Sequence, residues 1–345
     1  MKRVVLFLGA GSSKAFGLPL TNEIFPLILE GIEKTSLFGK NREERSYLER
    51  FINRLLPGIG KVKKNELPVI TEILSLLDHI IINGNTLWIE KDKISVLYYR
   101  RLLERAIIEV LDLPHLYYAE GIPHVLRAVS KWIYSNHKDN YFTIISTNYD
   151  LAIEMQLFRL IGTWETVENE IDYGVNWRHP SAGNLKLRPN NSILSIYKLH
   201  GSMNWLKCDL CDHIYINTRG SIYHQAFRAE IDDYNTCHCG NAPLKSLIIA
   251  PSIERDIRDP NILTIWKNSL ERLREADSWI IIGYSLPHED LAIKSMLLRA
   301  FNGREKRPEI KVVQKGFDAK SRYEILFDEI TYFPEGLDKY FENKY

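Results

Sequence analysis

Six short, uninterrupted apolar runs rich in β-branched residues punctuate this chain: Val4 to Leu8, Tyr141 to Ser146, Ile193 to Leu199, Ser246 to Ala250, Trp279 to Ile282 and Ile310 to Val313. Runs without polar alternation mark strands buried on both faces, because a sheet wetted on one side would alternate. Helical stretches separate them, which predicts an α/β fold with a doubly wound, mostly parallel sheet. The 345 residues are enough for one large domain with insertions. The 45% hydrophobic and 26% charged composition is that of a globular protein, with no apolar run of membrane length. A formal net charge of +1 gives no overall pull toward nucleic acid or anionic lipid, so neither membrane association nor direct nucleic-acid binding is expected. Met1-Lys2-Arg3 runs straight into the first apolar stretch, which is short for a signal peptide, and a cytoplasmic location is expected.

The interval from Leu18 to about Asn140 is too long for one crossover helix and predicts an inserted helical module over 20–138 within a domain spanning 1–345. Its helices are expected over Pro68 to Asn83, Ser95 to Leu113 and about Ile122 to Ser135, each with apolar residues at helical spacing. Phe38 to Lys64, dominated by Arg, Lys, Glu and Asn, reads as solvated helix surface and connecting loops. The sequence contains no internal repeat and no low-complexity tract.

Directly after the first strand stands Gly9-Ala10-Gly11-Ser12-Ser13, with a helix expected to begin near Ser12. A Gly-X-Gly turn at a strand-to-helix junction lets backbone amides approach a pyrophosphate and makes the fold Rossmann-like; glycines there also serve simply to pack helix on strand. No acidic residue ends the second strand as a ribose-binding dehydrogenase requires, which argues against hydride transfer.

Ligands of open α/β sheets bind beyond the carboxyl ends of strands, and polar residues stand at three such ends. Thr147-Asn148-Tyr149-Asp150 follows the second strand, with helix capping by Asn148 or Asp150 as the plainer role. His200-Gly201-Ser202 follows the third, where the histidine either faces a cleft or is satisfied within a loop. Gly283-Tyr284-Ser285-Leu286-Pro287 follows the strand at Trp279, and is either a ribose or phosphate contact or an ordinary connection.

All four cysteines form close pairs, Cys208-Asp209-Leu210-Cys211 and Cys237-His238-Cys239, separated by a 25-residue gap. Four thiolates in two pairs suit tetrahedral Zn2+, and with no ligand position left for water the site is structural, pinning a zinc-binding ribbon over 206–244. His238 is an alternative ligand to one of the cysteines.

Taken in order, Gly9-Ala10-Gly11-Ser12-Ser13, Thr147-Asn148-Tyr149-Asp150, His200-Gly201 and Gly283-Tyr284-Ser285-Leu286 resemble the sirtuin superfamily's phosphate loop, Gln-Asn-Ile-Asp segment, catalytic His-Gly and cofactor-contacting Gly-Thr/Ser-Ser segment. The resemblance spans residues 4–315. The chain departs from it at Gly17-Leu18-Pro19-Leu20-Thr21-Asn22-Glu23, which lacks the Phe and Arg of the deacylase cofactor loop. Glu154 after Asp150, and Pro287 and Asp290 after Ser285, bring it closer to the bacterial sirtuin-like proteins of antiphage defence. These resemble NAD+ hydrolases that drain NAD+ from an infected cell, several of them beside a sensor such as an Argonaute or a HerA-type ATPase.

The resemblance implies NAD+ as substrate and its cleavage to ADP-ribose and nicotinamide. Gly9, Ala10, Gly11, Ser12 and Ser13 would hold the pyrophosphate, Asp150 the nicotinamide amide, and Asn148 the ribose and attacking water, with Thr147 a further cofactor contact. His200 would be the base, and Gly283, Tyr284 and Ser285 would cradle the adenosine half. Three other functions remain open: a protein deacylase, a non-catalytic NAD or ADP-ribose sensor, and a structural subunit. The chain shows no sensor domain of its own, so homo-oligomerisation or a partner is expected under each.

Overall fold

The computed structural model describes residues 1–84, 95–113, 121–180, 183–220, 236–240, 242–249, 259–288, 290–342 and 344. The strands are β1 (Lys2–Leu8), β2 (Asn140–Ser146), β3 (Ile171–Asp172), β4 (Trp177–Arg178), β5 (Leu185–Lys186), β6 (Leu194–Lys198), β7 (Gly201–Cys208), β8 (Ile214–Ile216), β9 (Leu244–Ile248), β10 (Ser278–Ile282), β11 (Glu309–Val313) and β12 (Thr331–Phe333). The helices are α1 (Ala10–Ala15), α2 (Thr21–Glu33), α3 (Arg42–Leu55), α4 (Ile70–Ile82), α5 (Val96–Leu111), α6 (His124–Asn136), α7 (Ala152–Ile161), α8 (Trp164–Glu170), α9 (Pro260–Glu275), α10 (Leu291–Asn302), α11 (Lys320–Leu326) and α12 (Leu337–Phe341).

The chain divides into two compact units, one built on residues 1–18, 114–248 and 256–345, the other on residues 19–113. At the centre of the first lies a seven-stranded sheet in the order β12-β11-β10-β1-β2-β6-β3, every pairing parallel. This is the expected doubly wound α/β class: the chain builds outward from β1 through β2 toward β3 and β6, then returns to the other side of β1 with β10, β11 and β12. The order reverses between β1 and β10, the topological switch point at which such sheets bind ligands. Val4 to Leu8 of β1 and all five residues of β10 are buried, as uninterrupted apolar runs require. Successive side chains of β6 show that both faces are covered. Tyr197 reaches Arg272 of α9, while Lys198 reaches Glu154 of α7.

A second sheet, in the order β5-β4-β8-β7-β9, is antiparallel except where β4 meets β8. It corrects one expectation. The run read as a parallel strand from Ser246 to Ala250 is β9, which pairs antiparallel with β7, and Ala250 lies outside the described residues. An apolar run reports burial on both faces and not the direction of its neighbour.

The second unit carries α2 to α5. Its helices α4 and α5 fall where apolar spacing predicts, whereas Phe38 to Lys64 is not only solvated surface. Within it α3 buries Leu48, Phe51 and Ile52, and Phe51 stacks on Tyr99 of α5 with ring centroids 4.1 Å apart. Buried Arg45 makes this fit: its Nη1 donates to the carbonyls of Thr35 (3.0 Å), Leu37 (3.0 Å) and Gly39 (3.2 Å). A guanidinium satisfied by carbonyls counts toward the core but reads as surface in a charge count. The helix near Ile122, expected within the inserted module, is α6, which packs on α7 and α12 in the first unit.

Candidate functional site

The site grows from the turns beyond β1 and β10. Gly9 N donates to Ile282 O (2.9 Å), Gly11 N to Gly283 O (2.8 Å) and Ser12 N to Gly9 O (2.9 Å). A Cβ on Gly283 would stand 2.1 Å from Ser12 N, and one on Gly9 2.6 Å from the Cα of Tyr284. Gly283 also adopts φ +62°, where L side chains are strained. These glycines therefore let two turns interlock across the switch point, and the amides of Gly9, Gly11 and Ser12 are engaged by backbone carbonyls. The helix α1 begins at Ala10, two residues before the expected start.

The turn 147–150 then closes over this pair. Asn148 Nδ2 donates to Gly9 O (2.9 Å) and to Ser12 Oγ (3.3 Å), while Ser13 Oγ donates to Asp150 Oδ2 (2.6 Å). Asp150 Oδ1 accepts from Ala152 N (3.0 Å), the helix-start contact considered as its plainer role, so one side chain serves α7 and the glycine turn together. Each carboxylate oxygen keeps a further lone pair.

His200 joins from the other side, 3% exposed, with Nδ1 3.1 Å from Thr147 O. A carbonyl only accepts, so the contact is a hydrogen bond when Nδ1 carries the proton; in the neutral ring Nε2 is then the basic nitrogen. The segment that follows grips the same turn: Met203 N donates to Tyr149 O (3.0 Å) and Ser202 Oγ to the same oxygen (3.3 Å). Trp266 of α9 donates Nε1 to Leu199 O at 2.9 Å and lies 6.4 Å, ring to ring, from His200. His200 is thus the link between the two sheets, joining β6 to β7.

Two residues escaped the sequence reading as members of this site. Lys198, at the end of β6 and 2% exposed, donates from Nζ to Asp150 O and to Glu154 Oε1 (2.7 Å). Glu154, 3% exposed, is the counter-ion. Burial pushes its carboxyl above the usual range, while the Lys198 ammonium opposes that rise. The available signal was one lysine inside the otherwise apolar and hydroxyl-bearing run Ile193 to Leu199.

The Gly283 turn contributes unevenly. Tyr284 is buried with its ring 5.2 Å from Phe7, its hydroxyl donates to Asp290 Oδ2 (2.5 Å), and its carbonyl accepts from Tyr323 Oη (2.6 Å). Its side chain is therefore core. Ser285 is exposed, with its carbonyl held by Arg322 Nε at 2.9 Å.

The cysteines converge in the second sheet, where Cys208 ends β7, Cys211 precedes β8, and Cys237 and Cys239 precede β9. All four Sγ atoms lie within 4.8 Å of one another, with Cys208–Cys239 at 3.6 Å and Cys211–Cys237 at 3.4 Å. These separations exceed a disulfide and match the edge of a tetrahedron with Zn–S bonds of about 2.3 Å. The cluster fits a structural zinc whose ligands are the four thiolates. His238, the alternative ligand, instead places Nδ1 3.0 Å from Tyr215 Oη. His213 Nδ1 lies 3.0 Å from Cys211 Sγ, within reach to orient that thiolate.

No protein-family model matches the sequence, and no curated protein matches it. Solved structures of Sir2 proteins do. One, described as the structural basis for the mechanism and regulation of Sir2 enzymes, is 14% identical, with 99% of this chain and 91% of that chain covered and a TM-score of 0.42. A Sir2 homologue in complex with NAD is 10% identical, with 99% and 88% covered and a TM-score of 0.43. At these scores the likeness assigns no role to any residue.

Proposed function

We propose that this chain binds NAD+ along the carboxyl edge of its parallel sheet and hydrolyses the nicotinamide–ribose bond. The observation that carries this reading is that the 147–150 turn is held on both sides, by Asn148 against the Gly9–Ser13 turn and by His200 at the Thr147 carbonyl. Asn148 Nδ2 sits 2.9 Å from Gly9 O, and His200 Nδ1 3.1 Å from Thr147 O. The motifs of sequence supply the identity of the ligand, and the solved Sir2 homologue with NAD bound is in keeping with it.

In this reading the C1′–N bond breaks with its electron pair moving to the pyridinium nitrogen, so nicotinamide leaves neutral and the ribose carbon becomes oxocarbenium-like. Water adds to that carbon, and its proton passes to His200 Nε2, directly or through the ribose hydroxyls. NAD+ and water thus yield nicotinamide, ADP-ribose and a proton. Asn148 orients ribose and water, Asp150 accepts from the nicotinamide amide with a remaining lone pair, and positioning supplies most of the rate. Residues 9–13 meet the pyrophosphate, Thr147 the nicotinamide side, and the turn at Gly283 and Ser285 the adenosine half. From Tyr284 only backbone faces the ligand.

The same reading assigns a role in antiphage defence by depletion of cytoplasmic NAD+, as a homo-oligomer or beside a sensor of the Argonaute or HerA-type ATPase kind. Hydrolysis is preferred to deacylation because residues 17–23 lack the Phe and Arg of the deacylase loop. The test is to incubate purified protein with NAD+ and quantify both products. Equal amounts of nicotinamide and free ADP-ribose support hydrolysis, whereas NAD+ binding with no release assigns a sensor.

A further inference from the structure

Three carbonyls of the 147–150 turn are held by donors from one continuous segment, residues 198–203. His200 Nδ1 takes Thr147 O, Met203 N and Ser202 Oγ take Tyr149 O, and Lys198 Nζ takes Asp150 O. Of these donors only Lys198 is charged, and it is 2% exposed. Its position is fixed from both sides. Lys198 pairs with Ser146 in the sheet, the last residue before the turn, and its ammonium lies 2.7 Å from Glu154 Oε1 on the helix that follows the turn. Strand, turn and helix therefore meet at one nitrogen.

A buried ion pair is weak evidence for stability, since hydrophobic replacement of both partners is often neutral or stabilising. This pair is also incompletely satisfied, because Glu154 Oε2 is buried with no hydrogen-bond partner among the described residues. A core optimised for stability alone would not carry that arrangement. We infer that Lys198 is a positioning residue: its ammonium, held against Glu154, fixes the Asp150 carbonyl and so sets where the Asn148 and Asp150 side chains meet the ligand. The inference rests on the hydrolase reading for its kinetic consequence, while the ordering of the turn is independent of it.

The experiment compares wild type with Lys198→Met and with the double variant Lys198→Met/Glu154→Leu, which removes the pair without leaving an orphaned charge. Kinetics with NAD+ and hydrogen exchange of the backbone over 146–153 are measured on each. A structural role is repaired in the double variant, but a positioning role is not. The double variant is expected to melt near the wild-type temperature, with kcat lowered about tenfold to a hundredfold and KM changed less than about threefold. Exchange over residues 148–151 should quicken by about tenfold or more. Wild-type kcat and wild-type exchange in the double variant would overturn the inference. A wild type that releases no nicotinamide would sink the hydrolase reading alone, with the exchange data still deciding whether Lys198 orders the turn.

Discussion

Ser13 Oγ donates to Asp150 Oδ2 at 2.6 Å, joining the turn after β1 to the turn after β2 across 137 residues of sequence. Both side chains are buried, and the acceptor is a carboxylate, so this is among the stronger hydrogen bonds of the first unit. Ser13→Ala should destabilise the protein by about 1.5–3 kcal/mol and lower NAD+ turnover, because Asp150 loses one of its two side-chain anchors. Chemical denaturation and steady-state kinetics read the two effects. Unchanged stability with unchanged turnover would remove Ser13 from the site.

Gly283 leaves no room for a methyl group. Its φ of +62° is strained for any L side chain, and the new Cβ would lie 2.1 Å from Ser12 N, a backbone atom that cannot swing away. Gly283→Ala is expected to destabilise by about 3 kcal/mol or more. Denaturant midpoints at matched slope measure this. A loss below about 1 kcal/mol would mean the β1 and β10 turns do not interlock.

Asp172 anchors a network separate from the 147–150 turn. It accepts from Arg188 Nε and Nη2 at 2.9 Å each, from Tyr197 Oη at 2.7 Å and from Gly174 N at 2.8 Å. Burial alone would raise its carboxyl, but the Arg188 fork and the Tyr197 hydroxyl outweigh it and hold it below the usual range. Burial and the same carboxylate push the Tyr197 phenol up to about 12. The folded state therefore binds the Asp172 proton less readily than the unfolded chain, whose carboxyl titrates near about 4. This stabilisation is present above that pH and lost as pH falls through the folded value. Asp172→Asn should lower stability at neutral pH by about 2–4 kcal/mol and flatten the acid limb of a stability-versus-pH curve. An acid limb of unaltered slope would contradict the account.

Four thiolates leave a zinc no open position, so the metal should matter for folding and not for chemistry. Metal analysis should find about one zinc per chain, and chelation should lower the melting temperature by more than about 5 °C, restored on adding zinc back. Cys211→Ser should reproduce the chelated state. Full metal loss with no change in melting would show that the cysteine cluster does not support the second sheet.

Much of this architecture was legible because the parallel strands are buried on both faces: five of the six apolar runs became members of the seven-stranded sheet. The strand β12 was not read, since Thr331–Phe333 is short and lies at the sheet's edge, and β7 was not read because Ser202, Asn204 and Lys207 interrupt its apolar character. Asn148, Asp150 and His200 could be singled out because they follow the carboxyl ends of strands, where ligands of open α/β sheets bind. Lys198 could not, since only the fold reveals that its ammonium meets Asp150 O and Glu154. Tyr284 shows the opposite limit: its place beside Gly283 suggested ligand contact, but its ring fits against Phe7 and its hydroxyl against Asp290.

The most direct test of the central claim is NAD+ consumption by wild type, Asn148→Ala and His200→Ala, with and without an acetyl-lysine peptide. The account predicts nicotinamide and free ADP-ribose from wild type in equal amounts whether or not peptide is present. It also predicts a fall of about a hundredfold or more in both variants, with melting temperatures close to wild type. Turnover that requires the peptide, or that survives in His200→Ala, would contradict it.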